Sequence, residues 1–274
     1  MSERIFKSYG VREATALASE VDARVEEIAV NGFTIVENVI EESELADARR
    51  RVDEVYQIQA AEVGGADKLA SINDEFVARC LLAYDDYFLN LARCPKITSI
   101  LERILGDYYI LQQQNAIINS PEKQNYQVSW HRDLSYQHFV ATRPLAISAL
   151  VCIDDFSEIM GGTYVLPASH KVEKFPSREF VEKYEKLSDA KAGAAIMFDS
   201  MLFHRGGINR SQNIRRGVNH MYALPFINQQ INMSAMLGGK YGGDAFLRKF
   251  LGYESAAEAS VVSWRAKRLE KIEQ

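Results

Sequence analysis

Apolar positions in the first third of the chain recur mainly at helical spacing. A helix within residues 11–30, ending at Gly32, is predicted by four apolar residues at spacings of four, four and three: Leu17, Val21, Val25 and Ile28. Residues 33–40 are rich in β-branched side chains and predict a strand. Further helices are predicted over 42–61, over about 74–92, and over 95–105 with Gly106 as the C-terminal cap.

From Tyr108 to Phe226 the pattern changes to strands separated by turns. A nearly continuous apolar run at 144–153 predicts a strand buried on both faces. Strands are also predicted at 194–199, around His204 and from about residue 213. A charged helical insertion is predicted at 177–187, before the first of these strands. After Phe226 the β alternation is lost, and helices are predicted at 244–251 and 257–272.

These elements predict a mainly β protein with flanking helices, built on a double-stranded β-helix (jelly roll, cupin-like). We expect a single domain over residues 1–274, with a helical N-terminal part at 1–107, a jelly-roll core at 108–226 and a helical C-terminal extension at 227–274. The length of 274 residues allows one sizeable hydrophobic core.

Composition excludes several functional classes. The net charge of −5 gives no basic surface for nucleic acid or an anionic membrane, and no apolar run is long enough to span a bilayer. Cys80, Cys94 and Cys152 are odd in number and scattered, which predicts buried reduced thiols. We expect a cytoplasmic protein whose partner is a small molecule, while the oligomeric state stays open.

The predicted strand at 108–119 carries amides on one face. Alternation places five side chains together: Leu111, Gln113, Asn115, Ile117 and Asn119. Amides are unusual in a core because buried polar groups need partners. Either this face is solvated, or it lines a polar pocket in which Gln113 and Asn119 bind a cofactor and Asn115 contacts the substrate.

Two metal-binding side chains, His131 and Asp133, stand one residue apart in a segment, 126–133, that we predict to be a strand. Along a strand of period two both side chains point to the same face, which is the geometry of a chelate. An imidazole and a carboxylate that leave room for a third protein ligand suit non-heme Fe(II). A surface histidine beside a solvated aspartate is the alternative that this pair alone leaves open.

A third ligand and a cation can be sought downstream. The chain has five histidines, and His204 is the one at which an apolar run ends beside two glycines. Arg215 follows eleven residues later, at the start of the next predicted strand. Its planar guanidinium suits a carboxylate ligand. Alternation turns Arg216 and His220 to the opposite face of that strand.

The order and spacing of three motifs resemble the phytanoyl-CoA dioxygenase family of Fe(II)/2-oxoglutarate-dependent oxygenases: His131-Arg132-Asp133, Gly161 to Lys171, and His204 followed by Arg215. The resemblance extends from about Gly32 to Phe226. It implies that His131, Asp133 and His204 are the catalytic metal ligands and that Arg215 binds 2-oxoglutarate. His170 lies in a family motif but not at a metal position, so we interpret it as structural. The family often has Ser or Thr where this chain has Gly206.

The resemblance implies an enzyme with Fe(II) as cofactor and 2-oxoglutarate and O2 as cosubstrates, which releases succinate and CO2. Asp133 argues for hydroxylation or a related oxidation, because halogenating relatives have a small residue at this position. The rival hypothesis is a non-catalytic jelly-roll protein that binds a metal or a small molecule. A cupin-like isomerase with another divalent metal is a third reading, distinguished by whether 2-oxoglutarate is consumed.

The substrate is expected to be a small polar metabolite, such as a natural-product intermediate, a sugar or an amino-acid derivative. Arg132, Tyr136 and His138 surround or follow the metal-binding pair and are candidate substrate contacts together with Asn115. Residues 64–73 and 134–142 lack a clear period, and we expect them to form a mobile cover that excludes water and selects the substrate.

Overall fold

The computed structural model describes residues 9–121, 126–134 and 139–273. Its helices are α1 (Glu20–Asn31), α2 (Leu45–Glu62), α3 (Ala66–Ser71), α4 (Tyr87–Ala92), α5 (Pro95–Leu105), α6 (Arg178–Tyr184), α7 (Met233–Met236), α8 (Ala245–Phe250) and α9 (Val261–Glu273). Its strands are β1 (Phe33–Val36), β2 (Val77–Arg79), β3 (Ile110–Asn119), β4 (Ala146–Cys152), β5 (Thr163–Val165), β6 (Lys186–Leu187), β7 (Ala195–Asp199), β8 (His204–Gly206) and β9 (Arg215–Ala223).

The strands form two antiparallel sheets. The larger sheet has the order β1-β7-β4-β9-β3-β2, and the smaller sheet has the order β6-β5-β8. Most neighbouring strands, such as β1 with β7 and β3 with β9, are distant in sequence, as in a jelly roll. The fold is therefore mainly β with flanking helices, as predicted. The N-terminal part expected to be helical nevertheless contributes the two edge strands, β1 and β2.

Caps and backbone conformation set the boundaries of the N-terminal elements. The Ser19 hydroxyl accepts a hydrogen bond from the Asp22 amide at 3.1 Å, so α1 begins at Glu20 and the exposed Leu17 lies outside it. Gly32, with φ +87°, ends α1 in the left-handed region, as predicted. The strand predicted over 33–40 stops at Val36.

The prediction of a helix over residues 74–92 was wrong. This segment forms β2, a short 3-10 turn and α4. Cys80 lies in the left-handed region with φ +47°, which a continuing helix does not allow. β2 pairs with β3, with Ala78 opposite Ala116, so hydrogen bonds to a sheet edge outweigh the helical period.

The main core lies between the large sheet and the helices. β4 is buried along its whole length because both of its faces are covered, as predicted. A smaller apolar cluster, which includes Leu150, Ile196, Phe198 and Leu202, packs on the face of the large sheet that lies toward the small one. Cys80 and Cys152 are buried free thiols, whereas Cys94 is only partly buried. Within the described residues, no helix is both long and apolar enough to cross a membrane.

An irregularity in β3 corrects the predicted face of that strand. The pairing register of β3 with β9 shifts between Leu111 and Gln113. Leu111 consequently packs in the main core with Ala116 and Ile118, while Gln113 points to the other face. One inserted residue reverses the alternation, which a strict period of two does not anticipate.

Candidate active site

His131, Asp133 and His204 come together in the structure as one cluster. One ligand atom from each lies within 4.8 Å of the others, and among the described residues this is the group that could hold a metal ion. Asp133 Oδ1 is 3.4 Å from His204 Nε2 and 4.0 Å from His131 Nε2. Two imidazoles and one carboxylate grouped in this way are the ligand set typical of non-heme Fe(II) sites.

Backbone pairing between distant segments positions the cluster. His131 and His204 exchange both backbone hydrogen bonds, at 2.9 and 3.0 Å, and the Asp133 amide donates to the Ser200 carbonyl at 3.1 Å. The strand predicted over 126–133 is absent. The segment has a 3-10 turn at Tyr126–Val128 and a single bridge at His131. This bridge is enough to place the side chains of both histidines on the same side of the paired segments.

Backbone carbonyls fix which nitrogen of each imidazole is available. Nδ1 of His131 lies 2.7 Å from the Ser129 carbonyl, and Nδ1 of His204 lies 3.0 Å from the Leu202 carbonyl. A carbonyl only accepts, so in both rings the Nδ1 carries the proton and donates it. Each neutral ring therefore presents the lone pair of Nε2 to the cluster, as a metal ligand must.

Two polar side chains orient the carboxylate of Asp133. Its Oδ2 accepts hydrogen bonds from the Ser148 hydroxyl at 2.5 Å and from the Asn219 amide at 3.0 Å. Ser148 is in turn 2.9 Å from the hydroxyl of Ser200. These contacts occupy Oδ2 and leave Oδ1 facing the histidines. Ser148 was not predicted, although a serine within an apolar strand is the kind of signal that could have indicated it.

The three groups shift one another's protonation. Burial raises the pKa of Asp133, but the interaction with His204 outweighs burial and holds this pKa below its usual range. Burial acts to lower the pKa of His204, yet the Asp133 carboxylate raises it overall. Burial and the neighbouring His204 lower the pKa of His131 to about 4. Without a metal, the Asp133 carboxylate therefore stays ionised and favours the protonated form of His204, whereas His131 stays neutral near pH 7.

The cluster lies in a pocket between the two sheets, of about 600 Å³ with its open mouth included. Its other polar lining residues are Gln113, Asn115, Gln127, Thr163, Arg215 and Asn219. Gln113 and Asn115 of the amide face on β3 thus line this pocket, while their binding of a cofactor and a substrate stays a prediction.

Arg215 is a buried cation in this pocket. Its side chain is 4% exposed, and its guanidinium stacks on the Phe156 ring at 4.1 Å from the ring centroid. Burial lowers the pKa of Arg215 to about 10, and its Nε has no hydrogen-bond partner among the described residues. A buried guanidinium without a carboxylate partner is costly unless an anionic ligand compensates it.

Residues predicted to face away from the pocket do so. Arg216 forms ion pairs with Asp53 at 2.8 Å and with Asp154 at 3.1 Å on the opposite face of β9. His220 is fully buried on that face as well. His170 packs against α1, with Nε2 at 3.3 Å from the Ala29 carbonyl, which fits the structural role expected for it.

Two predicted site residues do not reach the pocket. The Asn119 amide donates to the Gly207 carbonyl at 3.1 Å, so it fastens a loop instead of lining the cavity. Arg132 is buried on the other side of its segment, where Nε donates to the Met201 carbonyl at 2.7 Å and the guanidinium lies 3.8 Å from the Phe203 ring centroid. Its guanidinium also donates to the Ser169 carbonyl at 3.2 Å, so Arg132 links backbone segments that are distant in sequence and does not line the pocket.

The expected cover is only partly described by the structure. Residues 64–73 form α3, whose Leu69 is buried in the core, and none of them lines the pocket. Tyr136 and His138 lie outside the described residues, so their expected contact with substrate stays a prediction. Thr163 was not predicted. It lines the pocket opposite Gly206 in the pairing of β5 and β8, which places a hydroxyl close to the position where relatives often have one.

Comparison with known proteins identifies a family. Residues 28–217 match the model of the phytanoyl-CoA dioxygenase (PhyH) family. The chain is 29% identical over 214 residues to the uncharacterized protein Rv1501 of Mycobacterium tuberculosis, covering 76% of this chain and 77% of that protein. It is 26% identical over 224 residues to the dioxygenase olcK of Penicillium canescens, covering 75% and 71%.

Solved structures share the fold. The structure of EctD from S. alaskensis with 2-oxoglutarate and 5-hydroxyectoine has a TM-score of 0.62 at 19% identity, with 79% of each chain covered. The epimerase SnoN in complex with Fe3+, alpha ketoglutarate and nogalamycin RO has a TM-score of 0.60 at 14% identity, covering 79% of this chain and 88% of SnoN. At these identities the likeness supports the jelly-roll architecture.

Proposed function

The chain belongs to the phytanoyl-CoA dioxygenase family, and from this we propose that it is an Fe(II)- and 2-oxoglutarate-dependent dioxygenase that oxidises a small polar metabolite. His131, Asp133 and His204 would hold the iron, and Arg215 would hold the distal carboxylate of 2-oxoglutarate. The observation that carries the proposal is the buried cation of Arg215 in the same pocket as the three potential ligands.

The side chains present fit the metal. Both Nε2 atoms and Asp133 Oδ1 converge, and both Nδ1 atoms are already engaged with carbonyls. Three protein ligands would leave coordination positions free for exogenous ligands. Bound iron would supply the redox chemistry that uses O2 to convert 2-oxoglutarate to succinate and CO2 and to oxidise the substrate.

The protein's own residues have three tasks in this proposal. Arg215 binds and orients the cosubstrate through a charge-assisted bidentate contact in a site shielded from water. Ser148 and Asn219 hold the Asp133 carboxylate so that Oδ1 faces the metal position. The apolar walls at Val77, Leu150 and Phe198 limit the access of water to the reaction.

The substrate class follows from the lining of the remaining space. Gln113 and Asn115 are amides on the wall formed by β3, and a fatty acyl chain would leave polar atoms unsatisfied there, such as the Asn115 Oδ1, which has no hydrogen-bond partner among the described residues. A small polar metabolite satisfies them. The chemical outcome is hydroxylation or a related oxidation, because Asp133 occupies the position that a halogenating enzyme leaves open.

Anaerobic titration tests the proposal. Purified protein is titrated with Fe(II) and then 2-oxoglutarate while the visible charge-transfer absorption of the metal–oxo-acid complex is followed, and succinate is measured after O2 is admitted. We expect one Fe(II) per chain and 2-oxoglutarate-dependent absorption. Metal binding without 2-oxoglutarate binding would favour a binding protein or a cupin-like isomerase.

A further inference from the structure

Two buried amide oxygens in the pocket lack hydrogen-bond donors. Asn115 and Asn219 are each 8% exposed, and both line the pocket. The Oδ1 atom of each is buried without a hydrogen-bond partner among the described residues. Leaving a buried acceptor unsatisfied is costly, so both atoms require a partner that the described residues do not supply.

The orientation of the Asn219 amide is fixed by Asp133. Asn219 Nδ2 lies 3.0 Å from Asp133 Oδ2. The Oδ2 atom of Asp133 also accepts a hydrogen bond from the Ser148 hydroxyl, so it acts as an acceptor, and the nitrogen and not the oxygen of the Asn219 amide faces it. The oxygen Oδ1 of Asn219 is therefore committed as an acceptor.

The orientation of the Asn115 amide is fixed by a relay. Arg79 Nη1 donates to Gln230 Oε1 at 3.2 Å, and Arg79 is itself held by Asp74. Arginine has no acceptor, so the oxygen of Gln230 faces it. The same oxygen lies 3.0 Å from Asn115 Nδ2, which must donate. The Asn115 Oδ1 is thereby an acceptor too.

The two acceptors lie side by side. Asn115 and Asn219 are direct partners in the antiparallel pairing of β3 and β9, and Asn219 also contacts the metal ligand Asp133. Side chains that are directly opposite on one face of such a pair are within reach of one ligand group. This part of the pocket thus combines two acceptors beside the metal ligands.

We propose that Asn115 and Asn219 determine substrate specificity by accepting hydrogen bonds from adjacent donor groups, such as vicinal hydroxyls or amines, of the substrate. The inference rests on the proposed function and deepens it. It assigns Gln230 as a positioning residue that keeps the Asn115 oxygen directed at the substrate. A substrate that offers only ether or carbonyl oxygens at this position leaves both acceptors unpaired and is rejected.

Matched probes test the inference on the anaerobic Fe(II) and 2-oxoglutarate complex. Dissociation constants are measured by ligand-observed NMR for cis-1,2-cyclohexanediol, for cis-1,2-diaminocyclohexane and for the dimethyl ether of the diol. We expect the diol or the diamine to bind at least about tenfold more tightly than the ether, as two net hydrogen bonds allow. The first two probes distinguish a hydroxyl-bearing from an amine-bearing substrate.

Three variants test which residues cause the preference for the donor-bearing probes. Asn115→Leu should abolish the preference for the donor probe. Gln230→Leu should abolish it as well, because the Asn115 amide is then free to turn, whereas Gln230→Glu keeps an oxygen facing Arg79 and Asn115 and should retain it. Gln230 does not line the pocket, so a loss of selectivity in Gln230→Leu reports on amide orientation and not on lost contact with the probe.

The outcomes separate this inference from the proposed function. Equal binding of diol and ether, no binding of any probe, or a preference that survives Asn115→Leu overturns the inference. Failure of the wild-type protein to form the charge-transfer complex contradicts the proposed function. The probes are then titrated into the protein alone, where the acceptor pair must still select the donor-bearing compounds.

Discussion

Arg215 and Arg216 are adjacent on β9 and have opposite environments. Arg215 is 4% exposed and stacks on Phe156, and its Nε has no hydrogen-bond partner among the described residues. Arg216 is bound by Asp53 through both carboxylate oxygens at 2.8 Å and by Asp154 at 3.1 Å. Arg215 thus lines the pocket, whereas Arg216 links β9 to α2 and to the end of β4. This difference makes the two residues a matched pair for mutation.

Arg215→Ala should weaken 2-oxoglutarate binding by about 2 to 5 kcal/mol, the usual cost of losing one member of a buried charge pair. Iron affinity should be retained. The measurement is a 2-oxoglutarate titration of the Fe(II) protein, followed by its charge-transfer absorption.

Arg216→Ala is the control for this prediction. It should lower the melting temperature, because it leaves Asp154 without one of its ion-pair partners, and it should leave the 2-oxoglutarate affinity within about threefold of the wild type. If Arg216→Ala abolished cosubstrate binding and Arg215→Ala did not, the assignment of faces on β9 would be wrong.

His131→Ala and His204→Ala should each reduce Fe(II) binding to well below one equivalent per chain, because each removes one of three converging ligands. Anaerobic metal titration with a chromogenic chelator measures the stoichiometry. His170→Ala is the matched control, since this histidine packs against α1 away from the cluster and its loss should affect stability alone. Unchanged iron affinity in both ligand variants would contradict the metal site.

Ser148→Ala should weaken iron binding by about 10- to 100-fold, the range typical for loss of an outer hydrogen bond to a metal ligand. The hydroxyl of Ser148 donates to Asp133 and removal frees the carboxylate to rotate. The control is Thr34→Val, which removes another buried hydroxyl, one that donates to Glu27 and has no contact with the cluster. Equal iron affinities in the two variants would show that Ser148 does not contribute to iron binding.

Fe(II) affinity should increase as the pH rises above about 6.5. The carboxylate of Asp133 raises the pKa of His204 above 6.5 against the effect of burial, and a metal must displace that proton. In the metal-free protein, the interaction between protonated His204 and Asp133 makes its full contribution to stability below about pH 6.5. This contribution is lost as the pH rises through the raised pKa of His204. Iron affinity and metal-free melting temperature should therefore change in opposite directions.

This pH dependence is measured by iron titrations and thermal unfolding between pH 6 and 8.5. In His204→Ala the decrease in metal-free stability over this range should be smaller than in the wild type. His131 should contribute little there, because burial lowers its pKa to about 4 and it is already neutral. A pH-independent iron affinity in the wild-type protein would contradict a raised pKa of His204 beside Asp133.

The sequence by itself, through local patterns and the family resemblance, indicated the residues of the candidate site. The spacing of His131 and Asp133, the position of His204 after an apolar run, and the alternation that separates Arg215 from Arg216 are local properties. Periodicity reports which face of an extended segment a side chain occupies, so these residues could be grouped before any contact was known. The mainly β core with flanking helices was predicted for the same reason.

Tertiary structure decided what covers each face. Residues 74–92 became β2 and α4 because β3 offers an open edge, and the register shift after Leu111 reversed one end of a strand that alternation alone would continue. Arg132 turned inward because carbonyls of a distant loop surround it. The Asn115 amide is oriented by Gln230, 115 residues away in sequence. Such contacts depend on chain segments that meet only in the folded protein, so the local periodicity of the sequence cannot predict them.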